Sequence, residues 1–110
     1  MLESADLMTR IDRLCLRASD ARSAEPLLGE MESLLDEGYL EALTGDARSR
    51  RLAERLERLV EILDEPEAAV EARRTALRKR GVDDKVSVLR GRLELLREHF
   101  VRLRGHSRFR

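Results

Sequence analysis

Seven apolar residues near the C-terminus, Val82, Val86, Leu89, Leu93, Leu96, Phe100 and Leu103, follow one another at spacings of 4, 3, 4, 3, 4 and 3. A strand buries every second residue, so this spacing is incompatible with a sheet. It demands a helix with a narrow apolar seam, held against other helices. Val86, Leu93 and Phe100 occupy one core position of the heptad. Val82, Leu89, Leu96 and Leu103 occupy the other.

The rest of the chain is written in the same alphabet. Leu, Ala, Arg and Glu dominate, and only two prolines interrupt 110 residues. Aromatic residues are scarce and charged residues reach 40 %, against roughly 25 % in an average domain. Such a composition predicts an all-α fold. The length suffices for one domain with its own core.

Five helical stretches can be marked between breaks. The first runs from about Ser4 to Ala21, with Leu7, Ile11, Leu14, Ala18 and Ala21 in its stripe and Met8 and Cys15 beside them. Ser23-Ala24-Glu25-Pro26 separates it from a second stretch carrying Leu27, Leu28, Met31, Leu34 and Leu35. That helix either ends at Gly38 or passes through and stops at Thr44-Gly45, burying Tyr39, Leu40 and Leu43. Asp46 suits the N-cap of a third helix with a Leu52, Leu56, Leu59, Leu63 seam, flanked by Ala53 and Val60. Asp64-Glu65-Pro66-Glu67 reads as a restart, although a single helix kinked at Pro66 is the other possibility. The fourth helix is rich in alanine (Ala68, Ala69, Ala72, Ala76), with Val70 and Leu77. It is expected to stop at Gly81, after basic residues suited to a helix C-terminus. The expected architecture is an up-down bundle of four or five antiparallel helices over residues 1–104. A short basic tail over residues 105–110 follows.

Charge is sorted along the chain. Residues 1–72 hold 18 acids against 9 arginines; residues 73–110 hold 13 bases against 4 acids. The total is zero. Glu30, Glu32 and Glu41 border the apolar stripe of the second helix. Arg90, Arg97 and Arg104 border one side of the last helix. The expectation is that these acidic and basic borders meet, within one bundle or between copies. The pairs Asp6 with Arg10, Glu54 with Arg58 and Glu98 with Arg102 have the favourable i,i+4 order.

The sequence holds little that could perform chemistry. Cys15 is alone and lies on an apolar face, where a free cysteine is core filler. His99 and His106 have no ligand partners at metal-binding spacing. No phosphate-binding glycine loop and no nucleophile motif is present. Neither a catalytic residue, a metal site nor a cofactor is expected, and the chain is read as no enzyme. The N-terminal Met-Leu-Glu-Ser-Ala-Asp-Leu-Met carries acids where a secretion signal needs bases. No uncharged run is long enough to span a bilayer. A cytoplasmic protein is expected, and arginine outnumbering lysine 20 to 2 fits a GC-rich bacterial genome.

Two groups of residues remain as candidate surfaces. Val88, Gly91 and Leu95 form a second line on the last helix, off its seam, and with Val101, Tyr39 and Leu40 they are candidates for a protein interface. A glycine in an exposed helix interior costs about 1 kcal/mol against alanine, so a close neighbour would rationalise Gly91. Arg73, Arg74, Arg78, Lys79 and Arg80, with Arg90, Arg97 and Arg104, are a candidate basic surface. The favoured expectation is an interaction module that recognises other helices, with a homodimer as its form. Nucleic-acid binding through the basic third is the alternative, opposed by the acidic first half and the absence of a helix-turn-helix pattern.

Overall fold

Among the described residues the computed structural model contains three α-helices: α1 (Leu2–Asp20), α2 (Glu25–Val60) and α3 (Pro66–Arg108). It describes residues 2–20 and 25–108, with side chains for 6–20 and 25–105. No strand occurs among the described residues. The all-α class holds, and the count of four or five helices is corrected to three. Two expected breaks do not exist: the helices assigned on either side of Gly45 are one, as are those on either side of Gly81.

Each correction has a local cause. No glycine has a positive φ, so none acts as a left-handed helix stop. Gly38 and Gly45 are sites of close approach instead. A Cβ at Gly38 would collide with the Leu93 side chain, and one at Gly45 with Val86. The packing gained there favours continuing the helix, and breaking it would leave unsatisfied backbone groups at two new ends. Asp46 is therefore mid-helix and not an N-cap. At Gly81 the helix is spanned by a side-chain bridge, Lys79 Nζ donating to Asp83 Oδ2 at 2.8 Å. The lysine expected to complement a helix terminus instead forms an i,i+4 pair across the glycine. Gly105 likewise lies within α3, which continues to Arg108. The expected short tail from Gly105 is corrected to that extent. Ala21, Ser23, Ala24, Phe109 and Arg110, and the side chain of His106, lie outside the described residues.

The restart at Pro66 is real. The amide of Ile62 donates to the Leu59 carbonyl at 3.1 Å, and that of Glu65 to the Ile62 carbonyl at 3.0 Å. The Glu65 carbonyl accepts from Ala69 at 3.2 Å. Proline at the first helical position lacks only a donor that the helix could not use there.

The chain divides into two compact units. Unit 1 comprises residues 1–41 and 88–110. There α1 and α2 run antiparallel: Arg10 forms two 2.8 Å bonds to Glu37, and Arg17 reaches Glu30 at 3.0 Å. Helix α3 runs parallel to α1, with Arg92 3.4 Å from Asp12 and Arg102 donating at 3.5 Å to the Ala18 carbonyl. Three stripes converge on a core of Leu7, Ile11, Leu14, Ala18, Leu27, Met31, Leu34, Leu35, Leu89, Leu93, Leu96 and Leu103, all buried. The seam of α3 thus contacts two other helices; within it Val82 and Phe100 are half-buried. Glu30, expected to face the α3 arginines, pairs with α1. Arg102, expected to pair with Glu98, turns to the Ala18 carbonyl and to His99 Nδ1 at 2.9 Å.

Unit 2 comprises residues 42–87 and is a two-helix hairpin. Ser49 donates to Asp83, and Arg55 pairs with Glu71, which fixes the antiparallel register. Two helices cannot enclose a core as three do. Ala42, Leu52, Ala68, Thr75 and Val86 are buried, while Leu56, Leu59 and Ala72 are only half-buried. Leu63, expected in this seam, is exposed, as are Val60, Val70 and Leu77. Thr75 was not expected inside; its hydroxyl donates to the Glu71 carbonyl at 2.8 Å.

Leu96 is fully buried where the three helices of unit 1 meet. Leu96→Ala is expected to lower unfolding free energy by about 2–5 kcal/mol, measured by urea denaturation. A loss below about 0.5 kcal/mol, the range of surface substitutions, would contradict this core.

Candidate interaction surfaces

Residues on α3 advance by roughly 100° each, so Val88, Gly91 and Leu95 share a line while Leu93 points the opposite way. The structure follows that rule. Leu93 is buried beside Gly38, and Val88 (53 % exposed) and Leu95 (43 % exposed) face outward. Nothing lies within 4 Å of where a Cβ on Gly91 would be. Val101 is exposed but is six residues beyond Leu95, which turns it to a different side of α3.

Tyr39, Leu40 and Leu43 are exposed, so their expected burial within a longer second helix is corrected. Leu40 follows Gly38 by two residues, which places it on the side of α2 turned away from α3. The six candidate interface residues therefore do not form one patch. Only Val88, Gly91 and Leu95 form a line.

The basic candidates are also divided. Arg73, Arg74, Arg78 and Arg80 are exposed, and their spacing sets them in two rows on α3, Arg73 with Arg80 and Arg74 with Arg78. Lys79 is half-buried and committed to Asp83. Arg90, Arg97 and Arg104 follow a seven-residue spacing on one side of α3, and the Arg104 guanidinium sits 6.0 Å from the centre of the Phe100 ring.

A surface on α1 escaped the sequence reading. Arg10, Arg13 and Arg17, spaced by three and four, edge a groove of about 470 Å³ between α1 and α2. Leu14 and Leu34 lie beneath it, and Gly29 and Ser33 line the α2 side. A side chain at position 29 would narrow the groove; glycine leaves it open. Arg10 and Arg17 are held by Glu37 and Glu30. Arg13 forms no ion pair among the described residues. The spacing of these arginines was legible, but the net acidity of the first 72 residues hid it.

Burial pushes the Cys15 thiol above its ordinary pKa, which keeps it protonated and a poor nucleophile. Among the described residues no three metal-ligating side chains cluster. No described helix is long and apolar enough to cross a membrane. Comparison of the chain with protein-family models, with curated proteins and with solved structures finds no match.

Two carboxylates tie the helices together electrostatically. The Arg10 guanidinium holds Glu37 below its ordinary pKa. The Lys79 ammonium, then the Ser49 hydroxyl, do the same for Asp83. A lowered folded pKa contributes stability above the unfolded value, and that stability is lost as pH falls through the folded value. Thermal midpoints should fall as pH drops below about 4. The double variant Glu37→Gln, Asp83→Asn should show a shallower fall. An unchanged slope would mean that neither pair contributes.

Proposed function

We propose that this chain is a non-catalytic helical interaction module of the cytoplasm, and that a helix from a second copy covers the Val88–Gly91–Leu95 line of α3. The observation that carries the reading is Gly91. The chain uses glycine inside a helix at Gly38 and Gly45 to admit a neighbouring side chain, with no unusual backbone angle. Gly91 has the same helical setting and lies between Val88 and Leu95 on their line, yet, as at Gly29, Gly81 and Gly105, nothing among the described residues comes within 4 Å of where its Cβ would be. Its cost of about 1 kcal/mol is offset when another helix packs closely there. Exposed aliphatics on one line commonly mark such a contact, and a two-fold pair is the commonest arrangement of identical chains. Nucleic-acid binding is the weaker reading, because the first 72 residues carry twice as many acids as arginines and no helix-turn-helix pattern is present.

Salt separates an apolar contact from a charged one, since the screening length falls to about 3 Å at 1 M. Sedimentation equilibrium in 1 M sodium chloride, at tens of micromolar protein, should give twice the 12.7 kDa chain mass. Leu95→Lys should give the monomer mass with unchanged helical circular dichroism. A monomeric parent protein, or a Leu95→Lys variant still paired, would contradict the reading.

A further inference from the structure

Helix α3 is continuous from Pro66 to Arg108, and its outward side is not evenly polar. Val70, Leu77, Val88 and Leu95 are 54 %, 62 %, 53 % and 43 % exposed, at spacings of 7, 11 and 7. Seven residues make just under two helical turns and eleven just over three, so the offsets cancel. The four side chains share one stripe, about 38 Å long, turned away from the buried seam of Val86, Leu89, Leu93 and Leu96.

Spacings of 7, 11 and 7 read the same from either end. Contact between identical surfaces across a two-fold axis has that property, because residue i of one copy meets j of the other while j meets i. Two α3 helices set antiparallel about a midpoint between Val82 and Asp83 would place Val70 against Leu95 and Leu77 against Val88, each twice. Every aliphatic residue of the stripe then has an aliphatic partner. A shift of one heptad sets Val88 against Asp84 or Leu77 against Gly81. In the matched register Asp84 lies across from Gly81 and Arg74 across from Gly91, small residues that leave both charged heads a path to solvent.

Charge decides the direction. A parallel pair would also match the aliphatics, each with its own copy. It would set Arg74 against Arg74 and Asp84 against Asp84, and would flank the stripe with Arg73 facing Arg78 and Arg80 facing Lys85. The antiparallel pair sets Arg73 against Glu94 at one margin. Both are exposed, and neither forms an ion pair among the described residues. At the other margin Glu71 meets Arg92, although Arg55 and Asp12 of their own chains hold them. Arg78 faces Lys85 there, a like-charge contact that opposes the register.

We infer that α3 pairs with α3 of a second copy, antiparallel about a two-fold axis at residues 82–83, with Val70 against Leu95 and Leu77 against Val88. The inference rests on the reading that a second copy covers the Val88–Gly91–Leu95 line; it names the helix that does so, its direction and its register.

Disulfide trapping tests it. Leu77→Cys and Val88→Cys are both exposed changes, and Cys15 is buried and can stay in place. Under mild oxidation an equimolar mixture of the two variants should give at least tenfold more cross-linked dimer than either variant alone. A charge swap reports on the same register. Glu94→Arg should weaken the pair about threefold at low salt, as expected of exposed ion pairs, and Arg73→Glu added to it should restore the parent affinity. Cross-linking of Leu77→Cys or Val88→Cys to itself, with no gain in the mixture, would show a parallel pair and overturn the inference. A double charge variant weaker than the single one would overturn it too. No cross-link in a protein whose dimer Leu95→Lys dissolves would overturn it while leaving the broader reading intact, with some other helix on the stripe. A monomeric parent protein would remove both.

Discussion

The close contact of α2 with α3 sets what the rest of the chain can do. At Gly38 the missing side chain leaves space that Leu93 fills, and at Gly45 Val86 does the same. The two glycines are seven residues apart on α2, and their partners are seven apart on α3. A heptad repeat on each strand of an antiparallel pair is thereby used twice, once in each unit. Continuity of both helices follows, because each glycine is worth more as a point of contact than as a stop. In unit 1 the paired helices offer a shared apolar face, and α1 completes it through Arg10, Arg17 and Asp12.

What was legible in the sequence was periodicity. The stripes of α1 and early α2 and the 4,3 seam of α3 supply the buried leucines of unit 1. The restart at Pro66 was legible as one of two readings, the other being a single helix kinked there, because proline has a positional meaning that hardly depends on tertiary context. Glycine does not. Gly45 and Gly81 each look like a helix end by local rules, and only the opposing Val86 and the Lys79–Asp83 bridge show otherwise. The outer limits of the seams were misread for the same reason. Leu63 and Leu77 fit an apolar period, but a hairpin of two helices has too few neighbours to bury them.

The candidate surfaces were half legible. The exposure of Val88 and Leu95 follows from their position opposite Leu93, so the α3 line could be read from spacing alone. The groove beside Arg13 could not, because it needs the partner helix and the open space above Gly29. Charge sorting along the chain was a true signal read too simply. Acids of α2 meet arginines of α1, from the same acidic half, and the acids of the 57–67 stretch surround an apolar turn. Exposed ion pairs alone contribute only about 0–1 kcal/mol each.

Gly38, which is buried, and Gly45, which is half-buried, are contact points and not helix stops. Comparing Gly38→Ala with Gly81→Ala in urea denaturation tests this directly. Alanine gains about 1 kcal/mol in helix propensity at either position. At Gly81 nothing opposes the gain, since no atom lies within 4 Å of the added methyl. At Gly38 the methyl meets the end of the Leu93 side chain, which is fully buried and must shift to admit it; overpacking of this kind costs about 1–3 kcal/mol. The unfolding midpoint is expected to rise for Gly81→Ala and to fall for Gly38→Ala. Equal increases at both positions would show that α2 and α3 do not approach closely at Gly38, and would contradict this expectation.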